Sequence, residues 1–294
     1  LYLEENYEGS VALWLCGTAG DQGPLVMNQV WTPDPATGEQ EENYISGASV
    51  EICEYLAKIQ YADVKKALNS IEEFTSTLEI SYAYGTSLLP PAESGGEKVT
   101  MGLQVLKLGD IVLAGTVGEL YSSTGAYMTE NSLVEDTLVV NCVWNSHETK
   151  ASYYPDYDAS IYGSANGYPK YDASMLEPVM SELLNNLIRE INDGWQYHGD
   201  GTATNKETGE TVLVGLDKNA GTEDDNCIVN PAGTVLLENV NVSCDADGEK
   251  FVSLGNGFKL YGGDDGILGT TDDVVKGFGS YQQGLTDEET TVQR

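Results

Sequence analysis

Two acidic segments of this sequence share the same order of aspartate, glycine and threonine residues. Residues 215–229 read GLDKNAGTEDDNCIV and residues 263–277 read GDDGILGTTDDVVKG, so that the second copy begins 48 residues after the first. The matched positions are Asp217 and Asp265, Gly221 and Gly269, Thr222 and Thr270, Asp224 and Asp272, and Asp225 and Asp273. Clustered carboxylates and main-chain carbonyls are the ligands that Ca²⁺ prefers, at about 2.3–2.6 Å.

The repeat therefore predicts two calcium loops, although its spacing is not that of an EF-hand. The side chains expected to ligate the ions are Asp217, Asn219, Asp224, Asp225, Asp265, Asp272 and Asp273. The alternative is a pair of solvated hairpin loops, in which aspartate and glycine serve only the geometry of the turns.

Glu119 is a second candidate position, because it follows the apolar run 110–115 in GDIVLAGTVGELYSSTG. Enzymes with α/β folds place catalytic or metal-binding carboxylates at the ends of buried strands. The alternative is an acidic residue favoured by the dipole at the start of a helix. The two histidines, His147 and His198, are more typical of solvated loop positions, and their spacing defines no Ser-His-Asp triad.

The stretch GTAGDQGP, residues 17–24, combines three glycines with a single carboxylate, Asp21. It comes directly after Cys16 and the apolar run 11–15, which we expect to be a buried strand. A glycine-rich loop at the end of a strand lets the backbone approach another group closely. The loop is therefore a further candidate for the lining of a site.

The composition excludes several classes of function. The 294 residues carry a formal net charge of −33, which repels nucleic acids and anionic lipid surfaces and favours divalent cations. No apolar run reaches about 18 residues, so we expect no membrane span. Eighteen tyrosines against four phenylalanines are typical of a secreted or surface protein, and Cys227 and Cys244 could form a disulfide. The start at Leu1 without a methionine predicts a processed or truncated product.

Hydrophobic periodicity divides the chain into two parts. Residues 1–193 are predicted to form an α/β domain with a mixed sheet and flanking helices, and residues 194–294 a small all-β module. We expect helices over about 46–70 and from Asp172 to Gly194, and loops over 31–46, 88–97 and 145–171. The predicted strands are 78–84, 99–105, 110–115 and 137–144.

Three segments occur in an order that resembles the neutral/alkaline (non-lysosomal) ceramidase family. They are GTAGDQGP, LGDIVLAGTVGELYSSTG and SYYPDYDASIYGSANGYPKYDAS, within a resemblance that covers about residues 1–192. The resemblance implies a zinc amidohydrolase that cleaves the N-acyl bond of a lipid amide. It implies Glu119 and Tyr154 as zinc ligands, with Tyr153 as the register alternative, and Asp21 and Gly23 in the catalytic loop, where the family's ceramidases have serine at the place of Gly23.

The same resemblance implies that the histidine-bearing first half of the domain is missing. Since catalytic zinc has three protein ligands, we expect an N-terminal segment or a second chain to complete the site, with His147 as a possible substitute. The alternative function is a non-catalytic extracellular or cell-surface protein, such as a self-assembling filament subunit, that keeps the incomplete ceramidase-like fold and a calcium-binding β tail.

Overall fold

The structure is a computed structural model that describes most of the chain. The described ranges are 2–23, 29–33, 40–44, 50–141, 153–162, 169–215, 217–229, 235–255, 257–270, 272–277 and 292–293. No helix in these ranges combines the length and the apolar character that a membrane crossing requires.

The first elements of the chain are two helices and a hairpin. They are α1 (Tyr2–Asn6), β1 (Gln29–Pro33), β2 (Gln40–Tyr44) and α2 (Val50–Leu68). Strands β1 and β2 pair antiparallel, with Gln29 opposite Tyr44, so the expectation of a loop over 31–46 is wrong. The helix expected over 46–70 is confirmed between the bounds of α2.

The expected buried strand at residues 11–15 is also wrong. These residues have no regular secondary structure, and Val11, Leu13 and Trp14 are 80%, 84% and 73% exposed. Cys16, the residue that follows this run, contacts the end of the central sheet, because its main-chain oxygen accepts a hydrogen bond from the Asn141 nitrogen at 2.8 Å. An apolar run becomes a strand only where a neighbouring strand offers its edge.

A four-stranded mixed sheet forms the centre of the α/β part. The elements of this stretch, in chain order, are β3 (Ile80–Leu89), β4 (Val99–Leu108), β5 (Ile111–Thr116), β6 (Glu119–Leu120), α3 (Ser122–Glu130) and β7 (Thr137–Val140). Strands β3, β4, β5 and β7 form the sheet. The spatial order is β3-β4-β5-β7, with antiparallel pairs except for the parallel pair β5–β7. Its four strands confirm those expected from the sequence, although residues 142–144 lie outside the described part.

A long helix covers one face of this sheet. The remaining elements of the α/β part are β8 (Tyr153–Tyr154), α4 (Tyr157–Tyr162) and α5 (Leu176–Asp193), so the expected loop over 145–171 contains a short strand and a helix. Asp172 caps the 3₁₀ turn Ala173–Met175, which leads into α5, by accepting a hydrogen bond from the Ser174 nitrogen at 3.0 Å. Gly194 ends α5 with φ +78°. The predicted apolar stripe of α5 packs on the inward residues of β3, β4 and β5.

The opposite face of the sheet contains two rows of apolar side chains that the described residues leave partly exposed. The strand register aligns Tyr82 with Leu106, Leu106 with Leu113, and Leu113 with Leu138, in one row across all four strands. Tyr82 and Leu138, at the ends of this row, are 59% and 58% exposed. A parallel row contains Ile80, Leu108 and Ile111. We call these two rows the open sheet face.

Residues after Gly194 form small antiparallel sheets, as expected for an all-β module. The strands are β9 (Trp195–Tyr197), β10 (Thr202–Asn205), β11 (Thr211–Leu213), β12 (Ile228–Val229), β13 (Val235–Leu237), β14 (Val242–Cys244), β15 (Lys250–Gly255), β16 (Phe258–Tyr261), β17 (Val274–Gly277) and β18 (Val292–Gln293). They pair as β11-β10-β9, β12-β13 and β14-β15-β16-β17-β18. Cys227 and Cys244, whose pairing the sequence left open, are free thiols.

Candidate functional site

Three remote segments of the chain meet at the end of the central sheet. Strand β6 pairs in parallel with β8, so that Glu119 lies opposite Tyr153 and Leu120 opposite Tyr154. The glycine-rich loop joins them, because the Gly20 nitrogen donates to the Leu120 oxygen at 3.0 Å. We call this meeting point of residues 17–23, 119–122 and 153–156 the strand-end site.

A buried asparagine fixes the strand that carries Glu119. The Asn141 side chain donates to the Leu120 oxygen at 3.0 Å and accepts from the Leu120 nitrogen at 3.2 Å. Its oxygen also accepts from the Thr116 hydroxyl at 3.1 Å. Sequence reasoning missed Asn141, although an amide within the apolar run TLVVNCVW is a signal, since a buried polar side chain needs partners.

The glycines of the loop permit a close approach of two backbones. A Cβ atom at Gly20 would lie 2.7 Å from the Glu119 main-chain oxygen and 2.9 Å from the Tyr121 ring. A Cβ at Gly125 in α3 would overlap the Thr18 side chain. At Gly23, which is exposed, no described atom lies within 4 Å of such a Cβ. Gly20 and Gly125 thus let the loop pack on β6 and α3.

Asp21 holds the first turn of α3. Its carboxylate accepts from the Ser122 nitrogen at 2.8 Å and from the Ser122 hydroxyl at 2.7 Å. Burial raises the pKa of Asp21, but its hydrogen bonds, the two from Ser122 foremost, together outweigh burial, and the net pKa lies below its ordinary value. The residue before the helix, Tyr121, supplies no side-chain cap, so Asp21 caps α3 from a distant part of the chain.

Asp156 plays a similar part on the other side of the site, and sequence reasoning missed it. Its carboxylate accepts from the Ala159 nitrogen at 2.7 Å at the start of α4 and from the hydroxyl of Ser123 in α3. The signal was present in YYPDYDAS, where an aspartate follows a proline and precedes a helical segment. Asp156 therefore ties α4 to α3 beside Glu119.

The strand register separates the two candidate tyrosines. Residues paired in parallel strands direct their side chains to the same side, so Tyr153 shares the side of half-buried Glu119. Tyr153 is 43% exposed, whereas Tyr154 lies with Leu120 in the apolar core. Burial raises the pKa of Tyr154, which disfavours the phenolate that a metal would bind. The geometry therefore favours Tyr153, the register alternative, as the partner of Glu119.

The ring of Tyr154 packs instead against Tyr171, with ring centroids 6.1 Å apart. The Tyr171 hydroxyl donates to the Pro155 oxygen at 2.8 Å. Burial, aided by the neighbouring Tyr154, Tyr121 and Asp156, raises the pKa of Tyr171. These tyrosines are neutral side chains that hold the segment 153–156 against α5.

The described residues alone do not complete a zinc site. No group of three or more histidine, cysteine, aspartate or glutamate side chains among them is placed to hold a metal ion. His147 lies outside the described part, and His198 lies in the β module, where its Nε2 contacts the Thr204 hydroxyl at 2.8 Å. Burial and then the charge of Lys250 lower the pKa of His198. Glu119 and Tyr153 thus offer two oxygen ligands where catalytic zinc needs three protein ligands.

The two acidic segments of the β module fold into equivalent loops. The first acidic loop, residues 215–227, joins β11 to β12, and the second acidic loop, residues 263–273, joins β16 to β17. In the first, Asp224 accepts from the Asp217 nitrogen at 3.2 Å and from the Thr222 hydroxyl at 2.7 Å. In the second, Asp272 accepts from the Asp265 nitrogen at 3.0 Å and from the Thr270 hydroxyl at 2.7 Å.

The equivalence extends to the glycines and to the last aspartate of each loop. The Gly221 nitrogen donates to Asp225 Oδ2 at 2.6 Å, and the Gly269 nitrogen donates to Asp273 Oδ2 at 3.0 Å. Both glycines have positive φ, +87° and +90°. The sequence repeat is thus a repeat in three dimensions. The remaining predicted ligand, Asn219, donates its main-chain nitrogen to Asp217 at 2.8 Å, and Asp217 and Asp265 are both exposed.

Each loop buries one carboxylate oxygen without a hydrogen-bond partner among the described residues. These oxygens are Oδ1 of Asp225 and Oδ1 of Asp273, and Asp273 is only 4% exposed. A charged oxygen left in this state costs more than about 1–3 kcal/mol. Burial, with the charges of Asp265 and Asp272, raises the pKa of Asp273 to about 6. Burial and the charge of Asp224 likewise raise the pKa of Asp225.

A cavity of about 440 Å³ lies between the two parts of the chain rather than at the strand-end site. It is lined by Val179 and Leu183 of α5 and by His198, Leu213 and Leu268 of the β module. It contains neither Glu119 nor either candidate tyrosine, so it is separate from the predicted zinc chemistry.

A comparison with protein-family models, with curated proteins and with solved structures finds no match for this chain. The roles of the residues described above therefore rest on their geometry.

Proposed function

We propose that the α/β part of this chain supplies the glutamate and the tyrosine of a zinc-dependent amidohydrolase that cleaves the N-acyl bond of a lipid amide. The site is completed by a histidine-bearing segment or second chain. The protein acts outside the cell or at its surface, in keeping with its net charge of −33.

The observation that carries this proposal is the convergence at the strand-end site. The loop with Asp21, the turn with Glu119 and the segment with Tyr153 are remote in sequence, yet they meet through the β6–β8 pair and the hydrogen bond from Gly20. These are the three segments on which the resemblance to ceramidases depends. In α/β folds, the ends of strands are where binding and catalytic groups are placed.

Glu119 and Tyr153 are the proposed metal ligands, because the register of the β6–β8 pair directs both side chains to the same side. A zinc ion bound there would polarise the amide carbonyl and activate a water molecule. Asp21 acts as a positioning residue, because it holds Ser122 and the start of α3 next to Glu119. Asn141 does the same for the backbone of β6.

The open sheet face supports a partner that not only supplies metal ligands but also covers an apolar surface of this chain. Its two apolar rows cross the sheet that leads into the strand-end site, and the exposed residues 11–15 are followed by Cys16, which is hydrogen-bonded to Asn141 after β7. A contiguous apolar surface of this kind is typical of an interface. We assign it to the histidine-bearing partner, since one covering layer would bury the rows and bring histidines to Glu119.

The test uses the natively isolated protein with every chain that co-purifies. Hydrolysis of an N-acyl sphingosine is measured for the wild type and for Glu119→Gln, with Glu130→Gln, an exposed residue of α3, as the matched control. We expect activity in the wild type and the control and its loss in Glu119→Gln. Equal activity in Glu119→Gln, or none in a wild-type complex that contains the histidine-bearing chain, would contradict the proposal.

A second candidate function is that of a non-catalytic surface protein on this fold. It is favoured because the aspartates at the site already serve structural roles. Both Asp21 and Asp156 are engaged with serines of α3 and serve as helix caps. A scaffold without catalysis would keep such bonds while losing the metal. Large assemblies of this chain alone, free of zinc and of any histidine-bearing partner, are the result that would favour this candidate.

A further inference from the structure

We propose that the cavity between α5 and the β module is a binding site for an uncharged molecule with an elongated apolar body, such as a long-chain alcohol. We call it the α5 cavity. Its volume is about 440 Å³, and its walls include Val179, Leu183, His198, Leu213 and Leu268. The proposal is independent of the chemistry proposed for the strand-end site, because neither proposed zinc ligand lines this cavity.

The α5 cavity follows one face of the helix. The α5 residues in its wall recur at steps of three or four, and they are Pro178, Val179, Glu182, Leu183 and Asn186. At a helical rise of about 1.5 Å per residue, they span about 12 Å. The opposite wall comes from three separate stretches of the β module, within residues 197–202, 213–215 and 267–270. A cleft that follows a helix in this way suits an elongated ligand.

Polar contacts between α5 and the β module hold the two walls in place. The buried Arg189 donates from Nε to Asn219 Oδ1 at 3.3 Å and from Nη1 to Asn186 Oδ1 at 3.1 Å. Near the end of α5, Lys206 and Glu190 form an ion pair at 2.6 Å. Because these bonds exist without a ligand, the cavity is preformed, as small-molecule sites usually are.

The lining of the α5 cavity is mostly apolar. Leu213, Leu268 and Leu183 contribute to it and are otherwise buried, with exposed fractions of 1%, 5% and 8%. The hydroxyl groups of Thr86 and Ser87 offer hydrogen bonds for the polar end of a ligand. Protein interiors leave few voids larger than a water molecule, whereas ligand sites are mostly apolar clefts of about 300–1,000 Å³. The volume and the lining therefore indicate a ligand site rather than a packing defect.

The charges in the wall indicate an uncharged ligand. Among the described residues that line the cavity, the acidic and the basic side chain are Glu182 and Lys218, which pair with each other at 3.3 Å. Burial and then the charge of Lys250 lower the pKa of His198, so its imidazole is neutral at neutral pH. The chain as a whole carries −33 and repels an anion, while an ammonium group would find no unpaired carboxylate among these lining residues.

The test measures the fluorescence of N-phenylnaphthylamine, an uncharged apolar dye, with the full chain at neutral pH. Dodecanol and dodecanoate, which have the same chain length, are compared as competitors. We expect saturable dye binding, and dodecanol should displace the dye at concentrations at least about tenfold lower than dodecanoate. Dodecanoate that competes as well as dodecanol would overturn the assignment of an uncharged ligand.

Three variants locate the binding site. Val179→Trp fills the cavity and should abolish the binding of dye that dodecanol displaces, while Val64→Trp, which changes an exposed valine of α2, should preserve it. The combination of Tyr82→Gln and Leu138→Gln on the open sheet face should also preserve it. Circular dichroism verifies folding. Unchanged displaceable binding in folded Val179→Trp would overturn the proposal.

Two further measurements keep the result decisive if Val179→Trp does not fold. Cys227 lines the cavity, whereas Cys244 is an exposed thiol outside it. Dodecanol at ten times its dissociation constant should slow the alkylation of Cys227 by N-ethylmaleimide about tenfold and leave Cys244 unaffected. Glu182→Gln leaves Lys218 without its partner and should improve dodecanoate binding by up to about fivefold, with dodecanol unchanged. Equal alkylation of Cys227 with and without dodecanol would overturn the proposal.

Discussion

The carboxylate of Asp21 accepts two hydrogen bonds from Ser122, one from the main-chain nitrogen at 2.8 Å and one from the hydroxyl at 2.7 Å, across 101 residues of chain. This pair fastens the glycine-rich loop to the start of α3. Because Glu119 lies three residues before Ser122, the bond also fixes the position of the proposed metal ligand. A loop far away in sequence thus shapes the strand-end site.

Removal of this cap should destabilise the α/β part. We expect Asp21→Ala to lower the free energy of unfolding by about 1 kcal/mol, within the 0.5–2 kcal/mol range of helix caps. Thermal unfolding measures the effect, as a decrease of about 2–4 °C in Tm for a domain of this size. Asp63→Ala, which removes the same charge from an exposed position of α2, is the control and should leave Tm nearly unchanged.

The stability contributed by Asp21 should also depend on pH. Its folded pKa lies below the ordinary value of 3.8, so between the two values the unfolded chain binds the extra proton. The contribution is therefore complete above 3.8 and is lost as the pH falls through the folded pKa. Urea unfolding of the wild type and Asp21→Asn should differ at neutral pH and converge in acid. A difference that grows in acid would contradict this sign.

Two glycines of the same loop should respond oppositely to a methyl group. Gly20→Ala places a Cβ 2.7 Å from a main-chain oxygen that cannot move aside, and we expect a cost of about 1–3 kcal/mol. Gly23→Ala meets no described atom within 4 Å and should be neutral or slightly stabilising. Chemical denaturation of both variants gives the comparison. Equal effects would show that the loop does not pack on β6 as described.

In the isolated chain, the open sheet face should bind a dye that reports exposed apolar surface. Tyr82→Gln combined with Leu138→Gln removes the exposed ends of one row, and we expect a lower fluorescence of bound anilinonaphthalene sulfonate with no loss of Tm. Phe74→Gln, which changes a highly exposed apolar residue outside the sheet, serves as the control and should have little effect. The double variant should also fail to retain the histidine-bearing partner during purification.

Local patterns in the sequence were enough to predict the elements that depend on them. The stripe of α5, the cap at Asp172 just before it and its end at Gly194 follow from helical periodicity and capping, which act over a few neighbouring residues. The equivalence of the acidic loops followed from their matched residues, because turn geometry is set by neighbours in sequence. The mixed sheet with flanking helices and the β module after it were predicted on the same grounds.

Features that depend on distant partners could not be predicted in this way. The run at 11–15 is as apolar as a buried strand, but whether it joins a sheet depends on a neighbouring edge. The choice between Tyr153 and Tyr154 depends on a one-residue register with β6, which sequence alone does not define. The same holds for Asp21, whose partner Ser122 is 101 residues away.

The most direct test of the proposed function is the metal content of the natively isolated protein, measured by elemental mass spectrometry together with the intact mass of every co-purifying chain. The account predicts about one zinc ion per protomer in the wild type and in Glu130→Gln, a histidine-bearing partner in the same sample, and loss of zinc in Glu119→Gln. Calcium is counted separately and should be unaffected by Glu119→Gln. Zinc that is absent from the wild-type complex, or equal in Glu119→Gln, would contradict the account.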